Sequence, residues 1–370
     1  MSDAIFLTGG TGFLGMELIS RLLERQEGPD IFLAVRAGDA GEADDRVAKV
    51  LAQLYDDPPA TASRLHPIRA DLTASGMGLA AADRRTLTAE IDRVVHCAAA
   101  ISFTLPLDEA RAINVDGTRR VLELASEVGG LERLVHVSTA YVCGRLSGPF
   151  AEDDPAPGEG FRNTYEQTKW EAEQLVAEAG LPSAIVRPSV VVGESLGGWT
   201  SAFNVIYWPL QAFARGLLSD VPADPEGLID LVPVDYVAEL IDRVLFDPDV
   251  AGAFHAVAGE HAMTVSDVIE RTCSALDREP PRMTDPAAMA DDDPTAQFAG
   301  YFDIHTVFGN ERARGVVASG GGPNGGGPPE PESYFRTLLD YGEHTRWGKK
   351  PLTRQAARAR VAASDGAPSD

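Results

Sequence analysis

Eight residues near the N-terminus, TGGTGFLG (8–15), restrict the fold more than any other part of the chain. They join a strand-like apolar run, AIFLT (4–8), to FLGMELISRLLERQ, whose apolar residues recur at helical spacing. In such a junction Gly9 makes the tight turn, Gly12 admits a pyrophosphate close to the backbone, and Gly15 lets the helix pack against the sheet. The helix N-terminus then offers unpaired N–H groups and a positive dipole end to an anion. The spacing G-x-x-G-x-x-G at this position predicts a dinucleotide site built from Thr8, Gly9, Gly12, Phe13, Leu14 and Gly15. The alternative is a structural turn.

Strand and helix continue to alternate after the turn. IFLAVR, LHPIRADL, IDRVVHCAAA, LERLVHVSTAYV and LPSAIVRPSVVVG read as strands, separated by segments such as EADDRVAKVLAQLY. PLDEARAINVDGTRRVLELASEV reads as one long helix. This rhythm predicts βαβ units and a parallel sheet buried on both faces. The predicted class is α/β, a Rossmann-type doubly wound parallel sheet with a smaller C-terminal substrate-binding lobe. The expected organisation is a Rossmann domain over 1–192 and a substrate lobe over 193–350. Returning sheet elements interleave with that lobe at about 229–258, and 351–370 is expected as a disordered tail. The stretch SGGGPNGGGPP (319–329) reads as a flexible loop or linker.

Composition excludes several classes. A formal charge of −24 argues against nucleic acid, which needs a basic face. It fits either a salty cytoplasm or a genome that favours Arg over Lys. No apolar run reaches the roughly 18 residues of a membrane span, and the start carries no secretory pattern. Cys97, Cys143 and Cys273 show no metal-type spacing, and the seven histidines are scattered. Buried thiols, a cytoplasmic location and no metal site are expected.

Arg36 closes the second strand, where a NAD site usually carries Asp or Glu. A guanidinium there suits a 2′-phosphate, so NADPH is favoured over NAD. Asp71 and Leu72, after the third strand, are placed to meet the adenine. Lysine is scarce, with only Lys49, Lys169, Lys349 and Lys350 in the chain, yet Lys169 stands four residues after Tyr165. On a helix the two share a face, and a nearby ammonium would lower the phenol's pKa. Glu171, Glu173 and Gln174 read as the solvated face of that helix. Ser138 and Thr139 end the fifth strand at the crevice where such sheets bind ligands. A hydroxyl there would stabilise charge developing on a carbonyl oxygen.

TGGTGFLG, HCAAA, NVDGT, VSTAYV, Tyr165-x-x-x-Lys169 and RPSVVVG, in this order, resemble an extended short-chain dehydrogenase/reductase over about residues 4–272. The wording is most similar to fatty acyl-CoA reductases and the thioester-reductase domains of carboxylic acid reductases and peptide synthetases. The resemblance implies Tyr165 as acid/base, Lys169 as its pKa-lowering partner and Thr139 as the substrate-polarising hydroxyl. It makes Asn114 a proton-relay or helix-shaping residue, and adds Ala98, Pro188 and Lys169 to the cofactor contacts. It further implies reduction of an acyl thioester, or of a lipophilic aldehyde or ketone, and is compatible with a homodimer. The apolar stretch 203–213 would suit an acyl chain or form lobe core. The region after about Asp285 is the chain's own. Rival readings are an NAD-dependent nucleotide-sugar epimerase or dehydratase, a sterol-type or flavonoid-type ketone reductase, and an NADP-binding sensor or scaffold without turnover.

Overall fold

The computed structural model describes residues 3–203, 206–217, 220–285, 300–301, 303–321 and 324–365. Among them, seven parallel strands make the central sheet: β1 (Ala4–Thr8), β2 (Asp30–Val35), β3 (Leu65–Arg69), β4 (Arg93–His96), β5 (Arg133–Val137), β6 (Ser183–Pro188) and β7 (Gly252–Ala256). Their spatial order is β7–β6–β5–β4–β1–β2–β3, the doubly wound arrangement expected. Continuous apolar runs produce it, because every residue of β1 and β5 is buried between two helical layers. Helices α1 (Phe13–Leu23), α2 (Ala40–Leu54) and α8 (Val234–Phe246) cover one face. The other face receives α3 (Ala81–Glu90), α5 (Asp116–Ser126) and α6 (Thr164–Glu178). The winding reverses between β1 and β4, which opens a crevice at their carboxyl ends.

The single helix expected around 106–128 is two: α4 (Leu107–Asn114) and α5, joined at Val115 (φ −94°, ψ −57°). The Thr118 hydroxyl donates to the Asn114 carbonyl at 2.6 Å, a back-bond that bends helices.

In the lobe, short strand pairs surround a separate apolar core. Val190–Val192 runs beside Leu231–Pro233, and Leu228–Ile229 lies antiparallel to Met263–Thr264. Helix α7 (Tyr207–Ala214) lies within the stretch proposed for an acyl chain, of which residues 204–205 fall outside the described residues. Its Tyr207 and Leu210 are buried in the lobe core with Tyr334 and Leu338, and the Gly193 N–H ties down Tyr207 at 2.7 Å. Phe213 is buried as well. Of the region after Asp285, residues 286–299 lie outside the described residues.

Two expectations about irregular segments are overturned. The glycine-rich stretch does not behave as a free linker where it is described: Gly326, Gly327 and Pro328 are buried, and Tyr236 donates to the Gly326 carbonyl at 3.2 Å. The C-terminal segment is not a frayed tail either, since residues Arg354–Asp365 form a helix. Arg354 is buried there between Glu17 and Glu194, and Ala357 enters the main core. Ion pairs with buried carboxylates, not composition, decide its order. No described helix is long and apolar enough to cross a membrane. His305, read as an isolated histidine, meets Asp224 and Asp303 at 3.2 Å each in a surface cluster.

Candidate active site

The glycine turn lies at the crevice, and Gly9 and Gly15 are sterically required. Gly9 has φ +78°, and a Cβ on it would stand 2.5 Å from the Ala98 nitrogen. A Cβ on Gly15 would lie 2.3 Å from the Gly9 carbonyl, whereas Gly12 donates to that carbonyl at 3.0 Å. Helix α1 starts with no side-chain cap and no acidic residue in its first turn. Its first N–H groups therefore face the crevice with nothing negative beside them, which fits a pyrophosphate. Phe13 packs against the buried Trp199 at 5.8 Å between ring centroids.

Behind the turn sits a buried polar chain. Ala98 N–H donates to Thr8 Oγ1 at 3.3 Å, and that hydroxyl meets His96 Nδ1 at 2.7 Å. His96 Nε2 lies 3.0 Å from Thr118 Oγ1, whose own proton goes to the Asn114 carbonyl. Thr118 must therefore accept, so His96 carries its proton on Nε2 and accepts from Thr8 at Nδ1. Burial pushes the ring down to about 3, and the Lys169 charge adds to this, so His96 is neutral.

Arg36 is exposed directly after β2. The Asp71 carboxyl is held below its usual value first by the Thr73 hydroxyl and N–H, with smaller help from Arg36 and Arg120. Leu72 packs beside Gly117, and its carbonyl accepts from Arg120 at 2.7 Å.

Asn163 caps α6, accepting the Glu166 N–H at 3.0 Å, which sets Tyr165 in the first turn and Lys169 one turn on. Thr139 follows β5 in extended conformation and caps the next turn through Tyr141 N–H. Its hydroxyl is the hydrogen-bonding neighbour of the Tyr165 phenol, while the buried Ser138 hydroxyl has no partner among the described residues. Thr139 also donates to the Pro188 carbonyl at 3.4 Å. Beyond Tyr165, Phe103 lies 6.3 Å from its ring and stacks on Tyr301 at 5.0 Å. Asn114 receives the Ala100 N–H at 2.8 Å and donates to the Ala100 carbonyl and to Thr168. Its bonds thus fix the loop after β4 to α6, and none goes to Tyr165 or Lys169.

The electrostatics differ from the expectation in one respect. Burial raises the Tyr165 phenol well above its ordinary value, with the Thr139 hydroxyl opposing the rise. Lys169 does not reverse this, because its ammonium turns inward. It is 1% exposed and donates to the Val137 carbonyl at 2.7 Å and to His136 Nε2 at 3.2 Å. Burial brings Lys169 down to about 8, against the attraction of Glu173. Glu173 is no solvated residue: it is buried and paired with Arg187 at 2.7 Å. Sequence reading overlooked this pair and the two histidines. A signal existed for the histidines, since R-x-V-H occurs in both β4 and β5 and the register places His96 opposite His136.

The chain matches the family model described as male sterility protein over residues 7–241. Fatty acyl-CoA reductase 1 of Xenopus laevis is 32% identical over 269 residues, which are 63% of this chain and 52% of that protein. The fatty acyl-CoA reductase wat of Drosophila melanogaster is 31% identical over 269 residues, 62% of this chain and 52% of that protein. The chain thus spans about half the length of these curated relatives. Among solved structures, the terminal R domain of the myxalamid PKS-NRPS pathway superposes with a TM-score of 0.81 at 27% identity, covering 95% of this chain and 93% of that one. A thiolation-reductase di-domain from an archaeal non-ribosomal peptide synthetase gives 0.74 at 22% identity, covering 94% of this chain and 76% of that one, a likeness of fold.

Proposed function

Because the chain belongs to the male sterility family of extended short-chain dehydrogenases/reductases, we propose that it reduces an acyl thioester, or a lipophilic aldehyde, with NADPH. The observation that carries this reading is the meeting of the Tyr165 phenol and the Thr139 hydroxyl at the carboxyl end of β5, in a sheet whose glycine turn follows β1. Bound NADPH supplies the hydride. Thr139 hydrogen-bonds the substrate carbonyl oxygen, and Tyr165 delivers a proton to it as hydride reaches the carbon. The resulting tetrahedral adduct of a thioester loses thiol and leaves an aldehyde. Phe103 and the exposed Ile101, on the loop after β4, give the entrance an apolar wall suited to an acyl chain. Lys169 anchors the nicotinamide ribose, and Asn114 holds α6 in place without touching substrate. The test is NADPH oxidation with a panel of acyl-CoAs and long-chain aldehydes. Binding of NADPH with no turnover on any of them would sink the proposal.

The preference for NADPH rests on Arg36, exposed at the strand end beside Asp71 with no carboxylate in its place. Arg36→Asp is expected to weaken NADPH binding by about 10- to 100-fold, the scale of one lost charge-assisted contact. NADH affinity should change by less than about threefold. Titration of both cofactors by fluorescence measures the ratio, and equal losses would refute the specificity argument.

A further inference from the structure

We propose that His136 is a positioning residue for Lys169, accepting a hydrogen bond from the ammonium and, with the Val137 carbonyl, aiming its remaining N–H toward the crevice. The proposal deepens the reading above and rests on its assignment of Lys169 to the cofactor ribose. Among the described residues, Lys169 is a buried cation without a carboxylate in hydrogen-bond reach; its acceptors are Val137 O at 2.7 Å and His136 Nε2 at 3.2 Å. An ammonium only donates, so Nε2 must present its lone pair and the neutral ring carries its proton on Nδ1, which has no partner among the described residues.

The surroundings keep the ring in that form. His136 is fully buried, and its ordinary value is pushed far down by burial, then by Lys169 and His96. The His96 ring lies 5.3 Å away on the neighbouring strand and is itself kept neutral by burial, with its tautomer set by Thr8 and Thr118. The groups facing Lys169 are then Glu173 on its own helix, already committed to Arg187, and Cys97 after β4, whose thiol burial raises to about 11. With His136 and His96 neutral and Cys97 protonated, His136 is the side chain that stabilises the charged lysine by direct contact. A histidine is suited to this task because its ring is rigid, so the acceptor stays fixed where a flexible amide would have to be ordered.

NADPH affinity measured by fluorescence from pH 7 to 10 tests this without turnover. Wild type should lose affinity as Lys169 deprotonates near pH 8, and Lys169→Met should abolish that break. His136→Leu removes the acceptor and should shift the break down by about one pH unit, a tenfold change in the proton equilibrium. His136→Gln, whose amide oxygen can accept, should restore it, which a purely structural role would not require. A break unmoved in His136→Leu, or one that survives Lys169→Met, overturns the proposal. Nitrogen NMR of the wild-type histidines needs no variant: a proton on Nδ1 of His136 supports the hydrogen bond, and a proton on Nε2 overturns it. Failure of wild type to bind NADPH at all would instead remove the cofactor reading, while the tautomer still decides the contact.

Discussion

Tyr165→Phe is expected to lower kcat for carbonyl reduction by about 10²- to 10⁴-fold, the usual contribution of a positioned proton donor, while NADPH affinity stays within about twofold. The substitution removes one oxygen and leaves the ring where it packs, 6.3 Å from Phe103. Burial keeps the phenol protonated far above neutral pH, so the proton to be delivered is always present. The difficulty is its release, which the neighbouring Thr139 hydroxyl eases by opposing the effect of burial. The loss should fall on kcat and kcat/KM alike, as expected for a contact made only in the transition state. Stopped-flow turnover combined with cofactor titration separates the two quantities. A loss smaller than tenfold would mean that the proton comes from another source, and a parallel loss of affinity would mean that the ring, and not its hydroxyl, matters.

The parts of this molecule legible in the sequence are those in which one element carries the whole signal. The glycine turn is local: three glycines signal it, and at Gly9 and Gly15 the structure gives the reason as 2.5 and 2.3 Å clashes. The sheet is legible because buried parallel strands are continuous apolar runs between amphipathic helices. Arg354 was missed because its order depends on Glu17, more than three hundred residues away along the chain. An Ala/Arg-rich segment looks unfoldable until two buried carboxylates are placed opposite it. Glu173 was misread for the same reason, since its partner Arg187 lies on the next strand. The orientation of Lys169 was half legible. Its i, i+4 relation to Tyr165 is real, but the acceptors that capture the ammonium belong to β5, and a helical wheel does not show them.

The C-terminal helix supplies the largest expected effect on stability. Arg354 donates to both Glu17 oxygens, at 2.6 and 2.5 Å, and to Ser20 and Glu24 at 3.0 Å, while Arg358 pairs with the fully buried Glu194. Arg354→Met keeps the volume and strands Glu17, which is 2% exposed, as an uncompensated charge. Removing one partner of such a pair costs about 3–5 kcal/mol, on the order of 5–10 °C in Tm. The sign with pH follows from the carboxyls. Burial already raises Glu17, and raises Glu194 to about 7, with the arginines opposing it. Without Arg354 both should rise further, so the deprotonated forms carried at pH 8 are more costly in the folded state than in the unfolded chain. The deficit should therefore be largest at pH 8 and shrink toward pH 5.5, where the carboxyls are protonated. Adding Glu17→Gln to Arg354→Met should recover much of the loss at pH 8, because the stranded charge is gone. Thermal melts of the two variants at both pH values test this, and an unchanged Tm in Arg354→Met would mean that the helix contributes nothing. Cofactor affinity is expected to fall with stability, because Glu17 lies on α1, whose N-terminus is the proposed phosphate site, and the Glu194 N–H bonds to the carbonyl of Trp199, whose ring packs on Phe13.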